Sequence, residues 1–217
     1  MSINRFRVLL VLGLMSAMGV GLFVAKIVFL HNWYMFGLNW NLFLAWIPVF
    51  IVLRLEKTDT YHHTPKAKVL FMSLLWLLFF PNAPYLITDF VHLYPTQGNL
   101  YWHHQIMFFC YAFVSLACGL LSLYWIQRVW TRAFSGWFSN LASVLAIALS
   151  GYGIFLGRIV RFNSWDFFVH PFRLSRYVLH SFHNPTAIVM TLEFSVFIGL
   201  AYCLFYSLIH LQDKAID

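Results

Sequence analysis

Charge is what this sequence has least of. Of its 217 residues only 10% are Asp, Glu, Lys or Arg, and only seven are acidic. A soluble domain carries about 25%. There is too little polar side chain to cover a water-facing surface. That excludes an ordinary soluble enzyme, a disordered chain and a nucleic-acid-binding domain. Cysteine is scarce too: Cys110, Cys118 and Cys203 all lie in apolar runs. Cys110 and Cys118 fall on one predicted helix, roughly 12 Å apart along its axis, too far for a disulfide. No zinc or disulfide spacing is present, so the three read as apolar filler. A Gly-rich phosphate loop, a GxSxG elbow and an HExxH pair are also missing.

What is abundant is hydrocarbon and aromatic ring: 61% of residues are hydrophobic and 20% aromatic. The formal net charge is +7, from 14 Lys and Arg against 7 Asp and Glu. In so apolar a chain this points to membrane topology and anionic lipid rather than nucleic acid. The expected fold class is all-α, a polytopic membrane protein.

A helix needs about 20 apolar residues to cross a bilayer. Six such segments are predicted, at about 8–30, 36–53, 69–94, 106–126, 141–161 and 187–210, forming a single transmembrane domain over residues 1–217. The first is too long for a signal peptide and is read as an anchor. Counting Lys and Arg gives the orientation. With the N-terminus inside, Arg5, Arg7, Arg54, Lys57, Lys66, Lys68, Arg128, Arg132 and Lys214 lie inside. Only Arg158, Arg161, Arg173 and Arg176 lie outside, and Lys26 sits within the first span. Both termini are therefore expected in the cytoplasm. Three stripes of small residues, Gly13/Ala17/Gly21, Ala112/Ser115/Gly119/Ser122 and Gly153/Gly157, are expected to pack against neighbouring helices. Trp and Tyr near the span ends suit interfacial belts.

Two polar segments interrupt the apolar pattern. The third span contains PNAPY at 81–85. Pro81 and Pro84 each lack a backbone donor, so the helix is expected to break at 81–84, in the outer part of the membrane. Asn82 is suited to satisfy freed backbone groups. Beyond it, Tyr85, Asp89 and His92 share one face if the segment is α-helical, at i, i+4 and i+7. The fifth span runs into GRIVRFNSWD at 157–166. Arg158 and Arg161 are expected on one face at i and i+3. Asn163 reads as an N-cap with Asp166 at N3, and His170 follows Asp166 by one turn.

PNAPY with the TDFxH after it, together with GRIVRFNSWD, resembles the signature stretches of a bacterial integral-membrane family of unknown function. The resemblance spans most of the chain. It implies a multi-pass protein of the bacterial plasma (inner) membrane and supplies no activity.

Both segments are expected on the extracytoplasmic side, where three readings compete. Arg158 and Arg161, with Tyr85 and Asn163, can grip a phosphate or carboxylate, with His92 or His170 transferring protons. Asp89, His92, Asp166 and His170 offer the ligand types of a divalent metal site, at a spacing that permits one without being diagnostic. Alternatively, Asp89 and Asp166 neutralise the arginines in an internal network. Apart from these, Glu193 lies about 9 Å inside the sixth span and Lys26 at similar depth in the first. Either they form an ion pair, or Lys26 snorkels beside a protonated Glu193, or Glu193 serves a proton-coupled step. Residues 172–182 read as an interfacial amphipathic helix, with Arg173, Arg176 and His180 opposite Leu174, Val178 and Phe182. The pairs His62-His63 and His103-His104 read as exposed loop residues.

The expected function is recognition, or modification, of an anionic lipid or lipid-linked envelope intermediate. The rivals are a small-solute or proton-coupled transporter and a non-catalytic subunit of a membrane assembly. Membrane lipids, a second copy or another membrane protein are the expected partners, and no nucleic acid. The sequence leaves open whether the protein is an enzyme and whether it holds a cofactor.

Overall fold

A computed structural model describes residues 3–31, 33, 35–61, 64–93, 101–162, 164, 166–181 and 183–211. The described residues are almost wholly helical and contain no strand. Six helical segments are long and apolar enough to cross a membrane. The chain is a multi-pass membrane protein.

Helix α1 spans Ile3–Leu30 and α2 spans Gly37–Tyr61. The third crossing is composite: α3 (Lys66–Phe79), the single turn α4 (Asn82–Tyr85) and a 3-10 segment over Leu86–Leu93. Then come α5 (Tyr101–Ala133) and α6 (Gly136–Phe155), the latter extended by a π-helical turn over Leu156–Val160. Two short helices, α7 (Asp166–Val169) and α8 (Pro171–Ser181), precede α9 (Pro185–His210).

Helix α5 is the centre of the bundle, and every other crossing packs on it. Its buried residues include Ala112, Ser115, Cys118, Gly119 and Ser122. This small face admits large neighbours. Trp76 on α3 is fully buried and donates its indole N–H to Ser122 Oγ at 3.2 Å. A Cβ on Gly119 would lie 2.9 Å from that of Ala83, which shows how closely α4 approaches. The Gly13/Ala17/Gly21 stripe behaves differently. Added Cβ atoms at Gly13 and Gly21 would meet nothing within 4 Å, and α1 instead seats Gly19 on the Tyr111 ring. The spacing allowed close packing, but α5 lies on another face of α1.

Two expected boundaries move. Helix α2 continues past Arg54 because Glu56 is buried, with Arg5 on α1 at 2.5 Å and Arg132 on α5 at 3.4 Å. The charges at 54–57 do not end the helix. Helix α5 starts at Tyr101, so His103 and His104 belong to it and not to a loop. His104 is buried, and His103 Nε2 lies 3.1 Å from the Leu22 carbonyl. His62 and His63 lie outside the described residues.

Candidate functional site

Where a break was expected, the backbone stays right-handed and changes its hydrogen bonding. Phe80 and Pro81 keep helical dihedrals. Pro84 has no N–H to give Phe80, so the Ala83 N–H turns to the Phe80 carbonyl at 3.1 Å. That leaves the Phe79 carbonyl, which receives the Asn82 side-chain amide at 2.9 Å. The same amide group donates to Ser164 Oγ at 2.9 Å, and Ser164 donates to the Leu78 carbonyl at 2.9 Å. Ser115 on α5 donates to the Ala83 carbonyl. Side chains thus supply the partners that such backbone needs inside a membrane.

Through Asn82 and Ser164 the two motif segments touch. They touch again along a glycine face: added Cβ atoms on Gly153 and Gly157 would lie 2.8 Å from Pro81 and 3.2 Å from the Tyr85 ring. The third contact is ionic. Arg158 Nη1 donates to Asp89 Oδ1 at 3.0 Å, and Asn41 on α2 donates to Asp89 Oδ2 at 3.3 Å. Asp89 is 4% exposed, and the Arg158 side chain is half-buried. The Asp89 position follows from the helix type. In a 3-10 segment residues three apart share a face, so Asp89 lies beneath Leu86, which is also buried. It does not follow Tyr85 by an α-helical turn.

The π-helical turn carrying Arg158 ends at Arg161, whose φ of 63° and ψ of 34° are left-handed. The Leu156 carbonyl takes the N–H groups of both Arg161 and Phe162. This turn separates the two arginines: Arg158 points to Asp89, while Arg161 is exposed. They do not share a helix face. Asp166 is half-buried at the first residue of α7, and His170 is exposed just beyond that helix. Asn163 and the side chain of His92 lie outside the described residues. Among the described residues, no group of three or more His, Cys, Asp or Glu side chains converges as a metal site.

Lys26 and Glu193 occupy different surroundings and do not pair. Lys26 is 1% exposed and lies 5.8 Å from the Phe23 ring, whereas Glu193 is exposed on α9.

Beside the motif contact runs an apolar groove of about 560 Å³ between α3 and α6. Leu74, Leu78, Leu149, Leu156 and Phe167 are among its walls, and Asn82 and Ser164 bring the polar atoms. Phe162 also lines it, and the Arg173 guanidinium stands 5.7 Å over the Phe162 ring. Helix α8 carries Arg173 and is fixed to α6 by Tyr152, whose hydroxyl lies 2.6 Å from Ser181 Oγ. Ser181 already donates to the Val178 carbonyl, so Tyr152 is the donor. Leu174 of α8 also faces the groove, while Arg173, Arg176 and His180 are exposed. Sequence reading missed Asn41, Ser164, Phe162 and Arg173 as site residues. Phe162 and Ser164 lay within the second motif stretch and Arg173 on a basic amphipathic helix, whereas Asn41 carried no signal.

No curated relative and no solved structure matches the chain. Residues 40–201, which hold both motif segments, match the family described as a protein of unknown function (DUF1361), and the chain belongs to that family.

Proposed function

We propose that the protein recognises an anionic lipid or a lipid-linked envelope intermediate on its motif-bearing face. The groove between α3 and α6 carries this reading: a hydrocarbon slot with a cation stacked on its wall at Phe162. A lipid chain entering this slot from the bilayer leaves hydrocarbon for hydrocarbon, so it gains packing rather than water-to-apolar transfer, and selectivity falls to the headgroup contacts. Arg173 and the exposed Arg161 then hold the headgroup. In this reading Arg158 fixes the site by holding Asp89, as in the internal-network alternative, and leaves the headgroup to the other arginines.

The Lys and Arg distribution supports an extracytoplasmic position for this face, and the motif resemblance supports a bacterial plasma membrane. The packed state of the third crossing favours recognition over transport, because its freed carbonyls are taken by Asn82, Ser164 and Ser115.

The test is lipid binding by purified protein in nanodiscs containing phosphatidylglycerol or phosphatidylcholine. Native mass spectrometry is expected to retain phosphatidylglycerol selectively on wild type and to lose that selectivity in an Arg161→Gln/Arg173→Gln variant. Equal retention of both lipids by wild type rules out headgroup recognition.

A further inference from the structure

The opposite end of the bundle holds a polar cleft that no motif residue enters. It lies between the C-terminal part of α5, the start of α6 and the last turn of α9, and encloses about 600 Å³. In so apolar a chain its lining is unusual: Gln127, Arg128, Thr131, Asn140 and His210 all contribute, and among the described residues no acidic one does.

The hydrogen bonding sets what the cleft offers. Tyr202 donates to Gln127 Oε1, and Gln127 Nε2 donates to Asn140 Oδ1 at 3.0 Å. Asn140 therefore has its acceptor occupied and its amide donors left. Thr131 is spent on the Gln127 carbonyl at 3.0 Å. His210 stacks on Tyr206 with ring centres 4.2 Å apart, and its Nδ1 lies 2.8 Å from the Tyr206 carbonyl. A carbonyl only accepts, so Nδ1 carries the hydrogen and Nε2 remains for a ligand. Arg128 is exposed, its guanidinium is 5.8 Å from the Tyr124 ring, and it makes no ion pair among the described residues.

We propose that this cleft binds a compact oxyanion, a phosphate or phosphomonoester group. Arg128 is its charge partner, through the planar fork that suits phosphate oxygens. Asn140 donates from the α6 side. His210 Nε2 accepts from a protonated phosphate oxygen or, once protonated, donates to an ionised one. Helix α6 begins within the lining, at Gly136, and adds the positive end of its dipole. The group arrives either free in solution or as a lipid headgroup, since the cleft lies at the ends of three long apolar helices.

The test uses the full-length protein in detergent, titrated with inorganic phosphate or with mixed micelles of phosphatidic acid, and phosphatidylcholine micelles as control. Binding is read by thermal shift and by 31P line broadening. Arg128→Gln is expected to weaken binding by about tenfold, the loss of one charge-assisted contact, and Asn140→Ala by less. Arg7→Gln removes the same charge from the exposed first turns of α1 and is expected to change nothing. A response to inorganic phosphate supports a free anion, and a response to phosphatidic acid alone supports a lipid-borne one. No response to either probe overturns the proposal. So does an equal loss in Arg7→Gln, which would reduce the effect to general positive charge.

Discussion

Arg158 and Asp89 stand 69 residues apart in sequence and 3.0 Å apart in space, and their contact joins the two polar segments of an otherwise apolar chain. Asp89 is nearly inaccessible, and Asn41 holds its second oxygen. Removing one partner leaves a buried charge, at a cost of about 3–5 kcal/mol. Arg158→Gln is therefore expected to lower the thermal midpoint sharply in detergent. Asp89→Asn combined with Arg158→Gln is expected to recover part of that loss, because no charge is then stranded. A double-mutant cycle with no coupling would remove the pair as a fastener.

Ser164 caps the Leu78 carbonyl. Ser164→Ala strips that cap and takes away an acceptor of Asn82, at about 1–3 kcal/mol for a buried polar group left unmet. Hydrogen exchange is expected to rise locally through residues 78–85, with α5 unaffected. Uniform change across the bundle would contradict a local role.

Arg161 occupies left-handed backbone, which costs a non-glycine residue about 1–2 kcal/mol. Arg161→Gly is expected to hold or raise the thermal midpoint while reducing retention of phosphatidylglycerol. A fall in stability would mean that the side chain has a structural task.

Gly153 and Gly21 make a matched pair. A methyl on Gly153 runs into Pro81 at 2.8 Å, whereas one on Gly21 meets nothing within 4 Å. Gly153→Ala is expected to destabilise by about 1–3 kcal/mol through overpacking. Gly21→Ala is expected to be neutral or to stabilise by up to about 1 kcal/mol. Thermal unfolding of the two variants side by side checks both.

The membrane class was legible because hydrophobic length is a local property of the chain. Among the described residues the chain has six helices long and apolar enough to cross a membrane, the number its apolar runs predict. The ends were less legible, because what sets them comes from elsewhere. Helix α2 runs past its charged stop, and Arg5 and Arg132 from other helices cover Glu56 there. Small-residue stripes have the same limit: Gly119 and Gly21 look alike in sequence, and only the neighbour distinguishes them. At the site, Pro81, Pro84 and Asn82 announced a backbone problem and part of its solution. Ser164 stood in the second motif, but its contact and that of Asn41 could not be foreseen, since their partners lie 86 and 48 residues away. The left-handed turn at Arg161 had no Gly or Asn to reveal it, and it sends the two arginines apart.

Helix α2 is held near both ends. Asn41 ties its first turns to Asp89, and Glu56 ties its last turns to α1 and α5. The two anchors are roughly 22 Å apart at helical rise. A rod fixed at two such points can neither slide along its neighbours nor rotate about its own axis without giving up one anchor. Helix α9 rests chiefly on α6, and only 11% of its apolar window is buried. Helix α9 therefore leaves most of its apolar surface to the membrane or to another chain, whereas α2 is tied into the bundle near both ends.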